Sequence, residues 1–273
     1  MYDRDELASI LGVIKTDFES AIENPDENPS YSLIRSEELI GRIHSYIIDQ
    51  LEDNGVNPEH IHEDSHPNDT SATVYGFPKT KSQDILVHSY EEDGPVVGPR
   101  MAINVRSQLS SIGKNFDTIF ERIYAESLNL HNRFPYLPLG YFFLLPKRGY
   151  DASAKQDNIV ERSENFDIQK FISSYAALSG RESPEDEKWK YEAMCLLVVD
   201  FEQSPPRIMD DIDDFVEQGL VTPEFADVYG SDVISVENFF EKLLGDYKRR
   251  YSQIHEFETR AETDDSESSI GDF

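Results

Sequence analysis

The sequence predicts an α/β protein: a mixed central sheet flanked by helices, with helical N- and C-terminal extensions. Two continuous apolar runs support it, GYFFLL at Gly140 to Leu145, closed by Pro146, and Ala193 to Phe201. Both are far shorter than the ~20 residues of a membrane helix and read as strands buried on both faces. Between them and the N-terminus, Ala102 to Gln108 alternates apolar Ile103 and Val105 with Asn104, Arg106 and Gln108, a period of two that puts the polar set on one strand face. Beyond the turn at Gly113 the period changes to that of a helix, with Phe116, Ile119, Phe120, Ile123, Ser127 and Leu130 on one stripe and Glu121, Arg122 and Glu126 nearer the other face.

The remaining elements follow in chain order. Leu7, Ile10, Leu11, Ile14 and Phe18 predict a first helix over Asp5 to Ile22, and Leu39, Ile43, Tyr46 and Ile47 a second over Ser36 to Leu51, with Ser36 as its N-cap. The Pro/Asn-rich ENPDENPS joins them. EHIHEDSHPND follows; its His60, His62, Glu63, Asp64 and His66 have the side chains of metal ligands, but their spacing matches no zinc motif and a solvated loop is the expectation. Short strands are expected at Ala72 to Tyr75 and Asp84 to His88, a helix at Phe166 to Leu178, and two further helices in PPRIMDDIDDFVEQG and VENFFEKLLGDYKRRY. These boundaries divide the chain into N-terminal helices and a polar loop (1–71), an α/β core (72–201), C-terminal helices (202–255) and an acidic, frayed tail (256–273).

Composition narrows the class. Sixteen Phe and fourteen Tyr supply a core, which sets global disorder aside. The single cysteine, Cys195, lies in an apolar run, so an intrachain disulfide and a thiolate metal cluster are excluded. MYDRDELASI has no basic start and apolar run, and a cytoplasmic protein is expected. The formal charge of −29, with acids scattered along the whole chain, fits a salt-adapted halophile's protein, since salt screens self-repulsion. Within this acidic chain, Gly98 to Tyr150 holds seven Lys or Arg against three acids, an island of +4 that suits a phosphate backbone.

Cleaving a phosphodiester requires a carboxylate to hold a divalent ion, a second ligand beside it, and a cation that offsets transition-state charge. Asp84 at the start of one strand, with Asn104 and Arg106 on the same face of another, meets that need in principle. Gln108 on the same face is a candidate for orienting water, and Lys114 and Asn115, at the start of the following helix, for holding a phosphate. No GxxxxGK[ST], GxGxxG after a strand, or GxSxG is present.

The stretch "KTKSQDILV … AINVRSQLSSIGKNFDTIFERIYAESLNLH … LPLGYFFLLP" resembles the core of a type II restriction endonuclease of the PD-(D/E)XK superfamily, nearest to its XhoI-like group, over about residues 72 to 146. The resemblance implies a restriction-endonuclease-like fold and a divalent-metal-dependent DNA endonuclease acting in restriction or host defence. It implies Mg²⁺, with Mn²⁺ as substitute, double-stranded DNA as substrate, a homodimer to cut both strands, and a cognate DNA methyltransferase in the same system. Asp84 takes the first-motif metal position, Asn104 the second acidic position and Arg106 the lysine position; the Val105 carbonyl joins the metal, and the helix acid is Glu37 or Glu38. Arg100, Lys114, Asn115 and Arg122 are the expected DNA contacts. Asn104 offers only a neutral amide and Arg106 a permanent charge, both departures from the pattern, so a catalytically inactive nuclease-fold protein binding DNA or a partner is the alternative. A salt-adapted interaction protein without a nucleic-acid role is the third expectation.

Overall fold

The computed structural model describes residues 2–24, 37–63, 71–89, 98–163 and 166–251. Ser36, Asp64, His66 and the tail from 256 lie outside the described residues. The chain is mixed α/β, a six-stranded central sheet covered by helices on both faces.

Helix α1 (Arg4–Glu23) starts where Asp3 accepts a hydrogen bond from the Glu6 N–H, and it buries Leu7, Leu11, Ile14 and Phe18. Helix α2 (Glu37–Asp53) buries Leu39, Ile43, Tyr46, Ile47 and Leu51 in the same core. Strand β1 (Ile61–Glu63) follows, so part of the expected solvated histidine loop is instead a sheet edge, paired with Ile85 to Val87. His60 beside it is buried. Three residues are too few for periodicity to reveal a strand, which explains the difference. A separate hairpin, β2 (Thr73–Tyr75) and β3 (Thr80–Ser82), precedes β4 (Ile85–Ser89).

Strand β5 (Gly98–Ser107) is antiparallel to β4 and parallel to β6 (Leu139–Pro146), from which it is separated by helix α3 (Ile112–His131). Strand β6 is in turn parallel to β7 (Ala193–Asp200), reached through α4 (Ala152–Gln156) and α5 (Ile168–Leu178). Every residue of β6 and β7 is buried, as their unbroken apolar runs require. Strand β8 (Arg207–Met209) then pairs with β7 at the opposite edge, where a helix was expected from PPRIMDD; only Ile212–Glu217 (α6) of that segment is helical. Helices α7 (Pro223–Tyr229) and α8 (Val236–Arg250) complete the described chain. The sheet thus takes one edge strand from each segment expected to lie outside the core.

Strand alternation distributes the two faces. Ile103, Val105, Phe142, Leu144, Cys195 and Leu197 face α1, α2 and α8, whereas Ala102, Tyr141, Phe143, Leu196 and Val198 face α3 and α5. Gly140, second in β6, lies tight against α8: a Cβ there would lie 2.9 Å from Leu243 and 3.0 Å from Phe239. Asn104 and Arg106 belong to the α3 face, and that placement builds the site.

Candidate active site

Asp84 sits at the corner between β3 and β4, its side chain 15% exposed. Its Oδ2 accepts the Val105 N–H at 2.7 Å, so the carboxylate substitutes for a ladder acceptor at the point where β4 begins. The Arg106 Nη1 donates to both Asp84 oxygens, at 3.1 and 3.2 Å, and to the Val105 carbonyl at 3.1 Å. Arg106 remains 48% exposed despite this pairing, so its charge is presented at the surface while Asp84 fixes its position.

Two residues before Arg106 on the same face of β5, Asn104 is buried and its Nδ2 donates to the Oε1 of Gln83, also buried, at 2.8 Å. The Asn104 Oδ1 is buried without a hydrogen-bond partner among the described residues. This is a buried amide pair with one acceptor unused, a costly arrangement unless a cation or a donor is brought to it.

The fourth member was not among the expected site residues. Glu126 of α3 is only 7% exposed and reaches toward the same group, with Lys81 Nζ of β3 at 3.7 Å. Burial raises its carboxyl above the ordinary glutamate value; Lys81, Arg106 and a hydrogen bond from Gln83 oppose the rise, and the nearby Asp84 charge adds to it. Glu126 therefore shares its electrostatic environment with Asp84 and Arg106, and the site has a second carboxylate. The sequence contained the signal: Ile119, Ile123, Glu126 and Leu130 recur at helical spacing, so Glu126 shares the inward stripe. Its charge placed it on the outer face in the expectation, and the structure corrects that.

Other expected residues go elsewhere. Gln108 lies beyond β5 and its Nε2 donates to the carbonyls of Ser110 and Ser111 at 3.2 Å, serving the turn into α3 instead of orienting water. Arg100 is buried with its guanidinium 5.6 Å over the Tyr251 ring, which removes it from the surface a phosphate would meet. Lys114 and Asn115 are exposed in the first turn of α3, behind the left-handed Ser111. Arg122 is exposed one turn before Glu126 and acts electrostatically on buried Tyr141, as Arg106 does. The basic island is not one surface: Lys147 pairs with Asp200 at 3.1 Å and Arg148 with Glu202 at 3.1 Å. Glu37 and Glu38 open α2, on the helical layer of the opposite sheet face from Asn104 and Arg106.

A second buried carboxylate shows what a structural charge looks like in this protein. Glu192, fully buried, accepts the Leu139 N–H at 2.7 Å, Arg181 Nη1 at 2.7 Å and Arg250 Nη1 at 2.8 Å, with His131 Nε2 at 3.4 Å. Burial alone would raise its carboxyl; His131, Arg250 and the Leu139 N–H bring it down to about 2. Glu192 is supplied with several short donors, whereas Glu126 has the Gln83 amide and Lys81 at 3.7 Å, too little to offset its burial.

Among the described residues no group of three or more His, Cys, Asp or Glu forms a metal-binding cluster, and no helix is long and apolar enough to cross a membrane. No protein-family model matches the chain, and no curated protein or solved structure is significantly similar to it.

Proposed function

We propose that the chain is a divalent-metal-dependent DNA endonuclease with a restriction-endonuclease-like core, acting in restriction or host defence. The observation that carries this reading is Glu126, which brings from α3 the carboxylate that Asn104 lacks on β5. Two carboxylates and the unused Asn104 Oδ1 are hard oxygen donors of the type that Mg²⁺ or Mn²⁺ takes, ions content with one or two carboxylates plus waters and substrate phosphate, and an ion at Asp84 would share its oxygens with Arg106. Asp84 and Glu126 would hold the ion, with the Asn104 amide oxygen beside them. When bound, such an ion stabilises charge on a phosphoryl oxygen and makes an attacking water more acidic.

The protein's own contribution is positional. Val105 N–H orients Asp84, Asp84 orients Arg106, and the guanidinium meets non-bridging phosphate oxygens with a charge that no accessible pH removes. Lys81, less than half exposed, adds a second cation on the Glu126 side. Purified protein with Mg²⁺ or Mn²⁺, assayed over a range of salt, is expected to nick plasmid DNA, and both Asp84→Asn and Glu126→Gln to abolish nicking. Failure to nick under any of these conditions, or nicking unaltered by Asp84→Asn, overturns the proposal.

A nuclease-fold protein that binds DNA without cutting it is the alternative, favoured by the occupation of both Asp84 oxygens by Arg106. Installing Asn104→Glu with Arg106→Lys separates the two: activity confined to the double variant supports the binding protein, and activity in the unaltered chain removes it.

A further inference from the structure

Immediately before Asp84 the chain carries an exposed aromatic pair that neither the core nor the site uses. Tyr75 is 65% and Phe77 72% exposed, at the end of β2 and in the turn of the β2–β3 hairpin. Large apolar side chains left in water on a short hairpin need a reason, and this hairpin is not loosely attached. The Phe77 N–H donates to the Asn129 carbonyl at 2.9 Å. The Asn129 side chain accepts the Lys79 N–H at 3.1 Å and donates to the Lys79 carbonyl at 2.8 Å. Gly76 lies so close that a Cβ there would fall 2.2 Å from the Asn129 amide nitrogen. The aromatics are therefore held at a set position on α3 and presented outward.

Charge selects the occupant. Ser71 to Gln83 contains Lys79 and Lys81 and no acid, in a chain of net charge −29. Lys79 is exposed beside Phe77, and Lys81 leads on to Glu126. Phe77 precedes Asp84 by seven residues, at most ~23 Å of extended chain. Two exposed aromatic faces with exposed Lys79 beside them, on a rigid element leading to the proposed phosphodiester site, match unpaired nucleobases on a phosphate backbone, because every base offers a face to stack and bases stacked within a duplex do not. We infer that the β2–β3 hairpin binds a single-stranded stretch of nucleic acid, bases on Tyr75 and Phe77 and phosphate on Lys79, and leads it to Asp84, where Lys81, on the inward face of the hairpin opposite Val74, already pairs with Glu126. This rests on the proposed endonuclease and narrows its substrate from duplex to DNA with unpaired bases beside the scissile phosphate.

The test is fluorescence anisotropy of the full chain without divalent metal, titrated into one labelled oligonucleotide either alone or annealed to its complement. The single strand is expected to bind at least ~10-fold more tightly than the duplex, and Tyr75→Ala with Phe77→Ala to weaken single-strand binding by ~10-fold or more, with recovery in Tyr75→Phe with Phe77→Tyr. Lys79→Ala is expected to flatten the salt dependence of single-strand binding, and an unchanged slope counts against the inference. Both aromatics are exposed, so the alanine variant should melt with the parent, and circular dichroism checks that. Equal or tighter duplex binding, binding of neither form, or an alanine pair within ~2-fold of the parent overturns the inference. Asp84→Asn separates it from the endonuclease proposal. Selective single-strand binding by parent and Asp84→Asn with cleavage by neither sinks the endonuclease and leaves the binding site standing; cleavage lost in Asp84→Asn but indifferent to the aromatics does the reverse.

Discussion

Two buried glutamates should respond in opposite directions to the same substitution. At Glu192, Gln removes the charge that Arg181 and Arg250 both address at 2.7 and 2.8 Å, and leaves two guanidiniums with a neutral partner in a fully buried place. Breaking a buried pair from one side costs about 3–5 kcal/mol. In a chain of this size each kcal/mol moves the midpoint by ~2–4 °C, so Glu192→Gln should lower Tm by about 10 °C. At Glu126 the balance differs: burial is the largest influence on its carboxyl and the net effect raises it, which means the ionised form is disfavoured in the fold. A neutral amide there keeps a polar side chain near Gln83 and Lys81 and removes the desolvation, so Glu126→Gln should leave Tm unchanged or raise it by ~2–4 °C, about 1 kcal/mol. Thermal unfolding followed by circular dichroism at pH 7, with salt matched between variants, measures both. A Glu126→Gln protein that melts several degrees below the parent would refute the reasoning, because Glu126 would then be an ion-pair partner retained for stability instead of a carboxylate held for chemistry.

The same two residues predict two pH dependences that fall in different windows, Glu192 below its ordinary value and Glu126 above it. Glu192, depressed to about 2 from 4.5, contributes stability that is complete above pH ~4.5 and is lost as pH falls toward 2, and urea midpoints across that range should show the slope vanish in Glu192→Gln. Glu126, raised above 4.5, holds its proton longer in the folded chain, so Mn²⁺ binding measured by calorimetry should strengthen as pH rises through its raised pKa and lose that dependence in Glu126→Gln. Arg106→Ala removes a half-exposed guanidinium and should cost at most ~1 kcal/mol in denaturant unfolding while lowering nicking by about 10²–10³-fold; a large stability loss would recast Arg106 as structural. Gly140→Ala places a methyl against Leu243 and Phe239 and should destabilise by about 1–3 kcal/mol without altering DNA binding, as thermal melts and anisotropy together would show.

Long elements were legible because each carries its own period. GYFFLL and the Ala193 to Phe201 run read as strands buried on both sides and are so, and the 102–108 alternation correctly separated Ile103 and Val105 from Asn104 and Arg106. Strands β1, β3 and β8 were not read: like β2 each is three residues long, but IHE, TKS and RIM lack the consecutive β-branched and aromatic residues that mark TVY, and hydrogen bonds to a neighbouring strand define them. The N-terminal and C-terminal helices were visible, but not that α1, α2 and α8 share one core beneath the same face of the sheet.

For the site, sequence alone determined which residue types were available: Asp84 at a strand start, Asn104 and Arg106 on one face, no second acid on β5. Tertiary structure decided which of them meet. It took Gln108 into the α3 turn and buried Arg100, and it carried Glu126 and Lys81 to the Asp84–Arg106 pair from a helix and a hairpin. Local periodicity records only which way a side chain points from its own backbone. Whether two carboxylates share a dielectric and a cation depends on how α3 crosses the sheet, an electrostatic coupling between residues 42 positions apart that no local pattern contains.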